Sequence, residues 1–241
     1  MKLQMGIVVL ACSLVFASTG LADAIPVNNA SFETLPSVGL TVPGYAGGAY
    51  SIAAIPGWVG TGYSGQVQPG GPSGMAPNHY YNTLSDGPTE AYIATSETIS
   101  QTVGVTVQTG DTYTLMVDIG ARLDQHFLGT ADLLINGHQY DATGVKSLGG
   151  FATYTSTYTG LAADAGDPIT IQLSSTGQQG DFDNVRLSCT GSCGSSGPVS
   201  TVPEPSEIVL LGPMLIGLGI WQYHRGWRIH RAFSDVCDGR L

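Results

Sequence analysis

Few residues in this chain stand in patterns that could do chemistry. His79, His126 and His138 are the histidines of its central part. None is spaced from another as in an H-E-x-x-H zinc motif or a helical metal pair. Glu90 and Glu97 form a nominal pair of carboxylates of the kind that flanks a glycosidic bond. Nothing local places them across a cleft, and both read as surface groups. Gly60-Thr61-Gly62-Tyr63-Ser64-Gly65 matches G-x-G-x-x-G, but no βαβ pattern surrounds it and no helix follows, so it is not a phosphate cradle. A G-x-S-x-G nucleophile elbow is absent. On these grounds the chain is read as non-catalytic, with an enzyme of unrecognised type as an alternative.

The charge layout restricts partners further. The net charge is −10 over 241 residues. Between Ile25 and Val202 there are 13 Asp or Glu, while Arg122, Lys146 and Arg186 are the bases. Such a body cannot displace counterions from a phosphate backbone, so nucleic acid is excluded as a partner. Charged residues are 11% of the chain and Gly and Pro number 34 and 13. This disfavours long salt-bridged helices and favours strands and turns.

The elements that must position any site follow from alternation. Strand-like runs occur at Thr89 to Ala94, Ile99 to Val107, Thr112 to Ile119, Ala131 to Ile135, Phe151 to Tyr158, Ile169 to Ser174 and Phe182 to Ser188. Asn136-Gly137 between two of them predicts a hairpin with a type I′ turn. Seven or more short strands without a convincing helix predict an all-β sandwich or jelly roll as one domain over residues 25–190. Gly57 to Pro88 interrupts the series. It holds eight Gly and the aromatics Trp58, Tyr63, Tyr80 and Tyr81, and a connection of that length is functional or disordered.

Both ends read as addresses. Lys2, the apolar run Met5 to Ala17 and the small-x-small triplet Ala22-Asp23-Ala24 predict a signal peptide over residues 1–24. At the other end Pro203-Glu204-Pro205 precedes an apolar span, residues 208–223, and then Arg225, Arg228 and Arg231. This order resembles the PEP-CTERM sorting signal over residues 202–231. The resemblance implies an exported bacterial protein whose transmembrane helix is held transiently in the inner membrane, then handled by exosortase-type machinery and passed to the cell surface or extracellular matrix. Residues 191–201 are a Gly/Ser/Pro linker, and 232–241 form an extra tail that such signals lack. Cys189 and Cys193 are the cysteines left in the exported body, and in an oxidising compartment they are expected to pair.

Two further motifs bracket the body: Val27-Asn28-Asn29-Ala30-Ser31-Phe32-Glu33, with Ile55-Pro56-Gly57-Trp58 after it, and Gly180-Asp181-Phe182-Asp183-Asn184-Val185-Arg186-Leu187. Together they resemble the first and last core strands of galactose-binding-like jelly rolls, a group that includes many carbohydrate-binding modules. The resemblance implies a structural Ca²⁺ with Glu33 and Asp183 as carboxylate ligands. The alternative is that these acids cap strand ends or pair with Arg186. Asp181 is expected to face solvent and Trp58 to lie in the core. Aromatic platforms for sugar stacking would come from Tyr63, Tyr80 and Tyr81, with Arg122 beside them. The function expected is that of an exported, non-catalytic jelly-roll protein of the cell surface or exopolysaccharide matrix. A dedicated carbohydrate-binding module is the other reading.

Overall fold

The computed structural model describes residues 22–44, 47–71, 76–125 and 128–193. Residues 1–21 of the expected signal peptide, the linker and the proposed sorting signal with Pro203, Glu204, Pro205, Arg225, Arg228 and Arg231 lie outside them, whereas Asp23 and Ala24, expected to leave with that peptide, stand in a strand of the fold. No helix among the described residues is long and apolar enough to cross a membrane.

The described chain forms two antiparallel sheets and no α-helix. Its strands are β1 (Asp23–Ile25), β2 (Val42–Pro43), β3 (Ala49–Ser51), β4 (Val59–Gly60), β5 (Ser64–Gln68), β6 (Glu90–Ala94), β7 (Thr98–Thr106), β8 (Thr112–Ala121), β9 (Gly129–Ile135), β10 (His138–Asp141), β11 (Gly150–Thr159), β12 (Pro168–Ser175) and β13 (Gln179–Thr190). The larger sheet runs β11-β8-β13-β6-β5-β3-β2, with β1 also on β13; the smaller runs β10-β9-β12-β7-β4. All seven sequence-predicted runs are strands.

Period-two alternation decides which residues meet between the sheets. Leu115, Val117 and Ile119 of β8 and Phe182 and Leu187 of β13 point inward from one side. Ile99, Leu133, Ile135, Ile169, Ile171 and Leu173 point inward from the other. Asn136 and Gly137 both take positive φ, 51° and 74°, as a type I′ turn between β9 and β10 requires. Trp58 is buried against Phe32, ring centroids 5.4 Å apart.

Two local expectations change. Val27 to Glu33 is not a strand: Asn29 and Phe32 have φ of 49° and 56°, and the segment turns back on itself. The strand that lies beside β13 is β1, whose Ile25 pairs with Leu187. The Gly57 to Pro88 excursion is also not one loop. Its first part supplies β4 and β5, because Gly65 of β5 lets the chain pass close to Ser51, where a Cβ would stand 1.8 Å from a carbonyl oxygen. What remains, residues 76–88, folds over the outer face of the larger sheet.

The core predicts its own sensitivity. Ile171 is fully buried in the central strand of the smaller sheet. Ile171→Ala should lower the unfolding free energy by about 2–5 kcal/mol in a urea titration.

Candidate active site

The same alternation that fills the core sends other side chains out of the larger sheet on its far face. On β6 these are Glu90 and Tyr92, while Ala91 and Ile93 go inward. On β13 they are Asp181 and Asp183, flanking the inward Phe182. On β8 it is Asp118, opposite Asp183. The order β8-β13-β6 therefore puts Asp118, Asp181, Asp183 and Glu90 on neighbouring strands of one face. All four are buried.

Residues 76–88 cover this face and supply hydrogen bonds to three of the four. Asn78 accepts from the backbone amides of Tyr80 and Tyr81 at 2.8 and 2.9 Å, which bends the segment inward. Asn82 N–H bonds Gly149, and Leu123 N–H bonds Tyr80, pinning it to the sheet's edge. The Tyr81 hydroxyl then donates to Asp181 Oδ2 at 2.6 Å, while Gln179 Nε2 donates to Oδ1 at 2.6 Å. The close approach needs Gly120, where a Cβ would stand 2.8 Å from that hydroxyl. The Asp86 amide donates to Asp183 at 2.7 Å, and Ser85 Oγ to Asp118 at 2.6 Å. Asp118 also accepts from Arg186 at 2.8 Å, Asn184 at 2.9 Å and Thr153 at 2.6 Å.

Glu90 is different. Its Oε2 is buried without a hydrogen-bond partner, and the residue lines a cavity of about 300 Å³. Tyr50, Tyr63, Tyr80 and Tyr92 wall this cavity with Val67, Pro43, Pro69 and Gln179, and Arg122 stands at its side. Tyr92 meets Tyr50 edge-on at 6.1 Å and Tyr63 at 5.8 Å. The Arg122 guanidinium lies 4.0 Å over the Tyr80 ring and is held by Asp124 through two bonds of 2.9 and 2.6 Å.

Burial controls the electrostatics. Desolvation raises the Glu90 carboxyl well above its ordinary value, and the charges of Asp181 and Asp183 add to this, with Arg122 opposing. Asp181 is raised by burial too, although the bonds from Tyr81 and Gln179 favour its anion. Tyr92 and Asp181 are directly paired across β6 and β13, so Glu90, two residues along β6, is the diagonal neighbour of Asp181. Asp181 carries the two hydrogen-bond donors that suit a carboxylate, whereas Glu90 Oε2 has none, so the bias toward the acid form falls on Glu90. The site thus sets a carboxyl group with raised proton affinity against an aromatic-walled cavity, backed by a hydrogen-bonded carboxyl on the next strand.

Several expectations are corrected here. Asp181 does not face solvent; it is 2% exposed. Tyr81 offers no stacking surface, being fully buried between Asp181 and Phe151. Tyr63, Tyr80 and Arg122 do come together at the cavity. Glu90 is no surface carboxylate, and Glu97 does not line the cavity with it.

Glu33 and Asp183 belong to a neighbouring carboxylate cluster that also contains Asp86. Glu33 accepts from Thr89 N–H and Oγ1 at 2.9 and 3.0 Å. Ser31 Oγ donates to Asp86 at 2.7 Å. Burial pushes the Asp183 carboxyl up to about 8, with Asp86 and Glu33 adding to the shift and the Asp86 and Asn184 amides opposing it. Arg186, the alternative partner, is engaged with Asp118. Asp86 gave no sequence signal, because it sits in the covering segment. Cys189 and Cys193 form a disulfide, with Asp111 accepting from Ser192 and Cys193 amides at 2.9 and 2.6 Å beside it.

An all-β sandwich with an open-mouthed, acid-bearing, aromatic cavity on one sheet face has the form of a small-molecule site. The comparisons give the family. Residues 23–188 match the model of the HpiC1-like family, described as HpiC1 cyclase, and the chain belongs to that family. A Stig cyclase, Fisc, from Fischerella sp. TAU has 22% identity and a TM-score of 0.57, over 70% of this chain and 98% of that one; its crystal structure is a complex with (3Z)-3-(1-methyl-2-pyrrolidinylidene)-3H-indole. A cyclase from Fischerella sp. TAU in complex with 4-(1H-indol-3-yl)butan-2-one has 22% identity and a TM-score of 0.54, over 69% and 96%. No curated protein sequence matches. The family membership overturns the expectation of a non-catalytic surface protein, and with it the reading as a dedicated carbohydrate-binding module. That expectation rested on the lack of a local motif. This site has none, since its acids come from strands about 90 residues apart in sequence and meet only by strand pairing.

The Tyr81 bond predicts a measurable cost. Tyr81→Phe leaves a buried Asp181 oxygen without its donor and should lower stability by about 1–3 kcal/mol in chemical denaturation. Thr157→Ala, an exposed change on β11, should have little effect under the same conditions.

Proposed function

We propose that the chain is a cyclase that isomerises an unsaturated, indole-bearing small molecule by proton transfer, with Glu90 as general acid. The observation that carries this reading is the partnerless, buried Glu90 carboxyl at the wall of the aromatic cavity. Glu90 donates its proton to an electron-rich π bond or imine-type nitrogen of the substrate. The cation so formed is stabilised by the faces of Tyr50, Tyr63, Tyr80 and Tyr92 and by the anion of Asp181. A second π bond attacks it and closes a ring. Loss of a proton to the carboxylate pair restores the starting state, so substrate and product have the same composition. The family membership and the indole compounds bound to the Fischerella cyclases support this substrate class. Arg122, clamped by Asp124, limits one side of the cavity and keeps a positive charge near the pair.

We also propose that Glu33, Asp86 and Asp183 hold a structural Ca²⁺, within a galactose-binding-like jelly roll. It would neutralise the cluster under the covering segment, next to the acid pair. The Cys189–Cys193 bond supports action in an oxidising compartment. With the sequence patterns at both ends, it supports export and sorting through the PEP-CTERM-like segment.

The tests are direct. Glu90→Gln should reduce turnover of an indole substrate by about 10²–10⁴-fold while still binding 4-(1H-indol-3-yl)butan-2-one in a calorimetric titration. Retained turnover in Glu90→Gln would overturn the assignment. Because the acid form is the active one and its pKa is raised, the wild-type rate should hold to higher pH than an ordinary carboxylic acid allows and fall as pH rises through the elevated value. For the metal, melting temperatures with Ca²⁺ and with chelator should differ by several degrees. Asp183→Asn should remove most of that difference.

A further inference from the structure

The outer face of the smaller sheet carries a second unbalanced arrangement. β10, β9 and β12 are adjacent, and Asp141, Asp132 and Gln172 stand directly opposite one another in their registers. Ala131 and Leu133 are in the core and Tyr140 packs against it, so Asp132, Gln139 and Asp141 turn outward together. Side chains directly opposed in an antiparallel pair have Cβ atoms about 4.5–5.5 Å apart, where like charges destabilise the sheet.

Asp132 is nevertheless 1% exposed, and neither of its carboxylate oxygens has a well-formed hydrogen bond, although the Gln139 amide and the Asp141 carboxyl lie close enough to interact with them. Arg122 and Arg186 are committed to Asp124 and Asp118 on the other sheet. Burial raises the Asp132 carboxyl to about 6, helped by Asp141 and opposed by the Gln139 amide. A buried carboxyl group thus stands directly opposite a second one on the next strand. Buried charge of this kind is retained where a counter-ion compensates it.

The groups around the pair define that ion. Asp141 and Gln139 flank Asp132 from β10, and Gln172 from β12. The Gln172 amide nitrogen contacts Ser174 Oγ at 3.4 Å, which leaves its carbonyl oxygen available. Two carboxylates and two amide oxygens, without imidazole or thiolate, are a hard oxygen set suited to Ca²⁺ and poorly suited to Zn²⁺ or Cu²⁺. We propose that Asp132 and Asp141, with the side-chain oxygens of Gln139 and Gln172, form a Ca²⁺-type cation site on the outer face of the smaller sheet. It is separate from the Glu33, Asp86 and Asp183 cluster and independent of the catalytic reading. A cation here ties the edge strand β10 and the hairpin it shares with β9 to the central strand β12.

Calorimetric titration of the metal-stripped full chain with CaCl₂ tests it, with MgCl₂ in parallel. Asp132→Asn should bind one Ca²⁺ fewer per chain than the unsubstituted protein. Asp141→Asn, an exposed change that leaves the fold intact, should weaken the same site at least tenfold. Asp183→Asn should leave this site's binding in place, which separates the two clusters. In chelator, Asp132→Asn should melt higher than the unsubstituted protein, because an uncompensated buried charge is gone, and Ca²⁺ should narrow or reverse that gap. The same number of bound Ca²⁺ at the same affinity in the unsubstituted protein, Asp132→Asn and Asp141→Asn would overturn the proposal and leave the pair as two acids sharing a proton.

Discussion

The constraint that organises this molecule is the burial of Glu90, Asp118, Asp181 and Asp183 on one face of the larger sheet. A buried carboxylate is unfavourable unless it is hydrogen-bonded, paired or protonated, and each acid here meets the constraint in its own way. Asp118 has Arg186 and three neutral donors. Asp181 has Tyr81 and Gln179. Asp183 has backbone amides and the company of Glu33 and Asp86. Glu90 lacks a donor for Oε2 and is driven toward its neutral form. The covering segment 76–88 exists in its observed shape because it must deliver Tyr81, Ser85 and the Asp86 amide to these acids.

The two faces of the larger sheet therefore divide the work. The inner face, with Leu115, Ile119, Ile93 and Phe182, is apolar and closes the sandwich. The outer face holds the buried carboxyl groups and the tyrosine-walled cavity. Because both sets of side chains hang on the same strands, the rigidity of the core is passed to the site. Phe182 sits between Asp181 and Asp183 on β13, filling the space above Gly129, where a Cβ would come 2.1 Å from its ring. A strand held from below in this way keeps its outward carboxylates in fixed register with β6 and β8. The lack of a sequence motif and the presence of a well-formed site are thus compatible. The site is assembled from pairing across the sheet, so its residues need no regular spacing along the chain.

What the sequence by itself determined is the architecture. Alternation in Thr112 to Ile119 and Ile169 to Ser174 sufficed for half-buried antiparallel strands, and Asn136-Gly137 for the hairpin, because both depend on interactions local in the chain. Trp58 was legible as core for the same reason. Tertiary structure alone decided which face each acid occupies and what covers it. Glu90 and Asp181 read as surface groups because a carboxylate between apolar residues on a strand normally faces water. Here the outward direction leads under the 76–88 segment instead. Tyr81 read as a platform because its embrace by Asp181 and Phe151 involves partners 100 and 70 residues away. Asp86 and the Asp132 to Asp141 opposition were invisible for a related reason, since strand register sets them and no local pattern does. Local physics wrote the strands; the order in which they pair brought the acids together and set their protons.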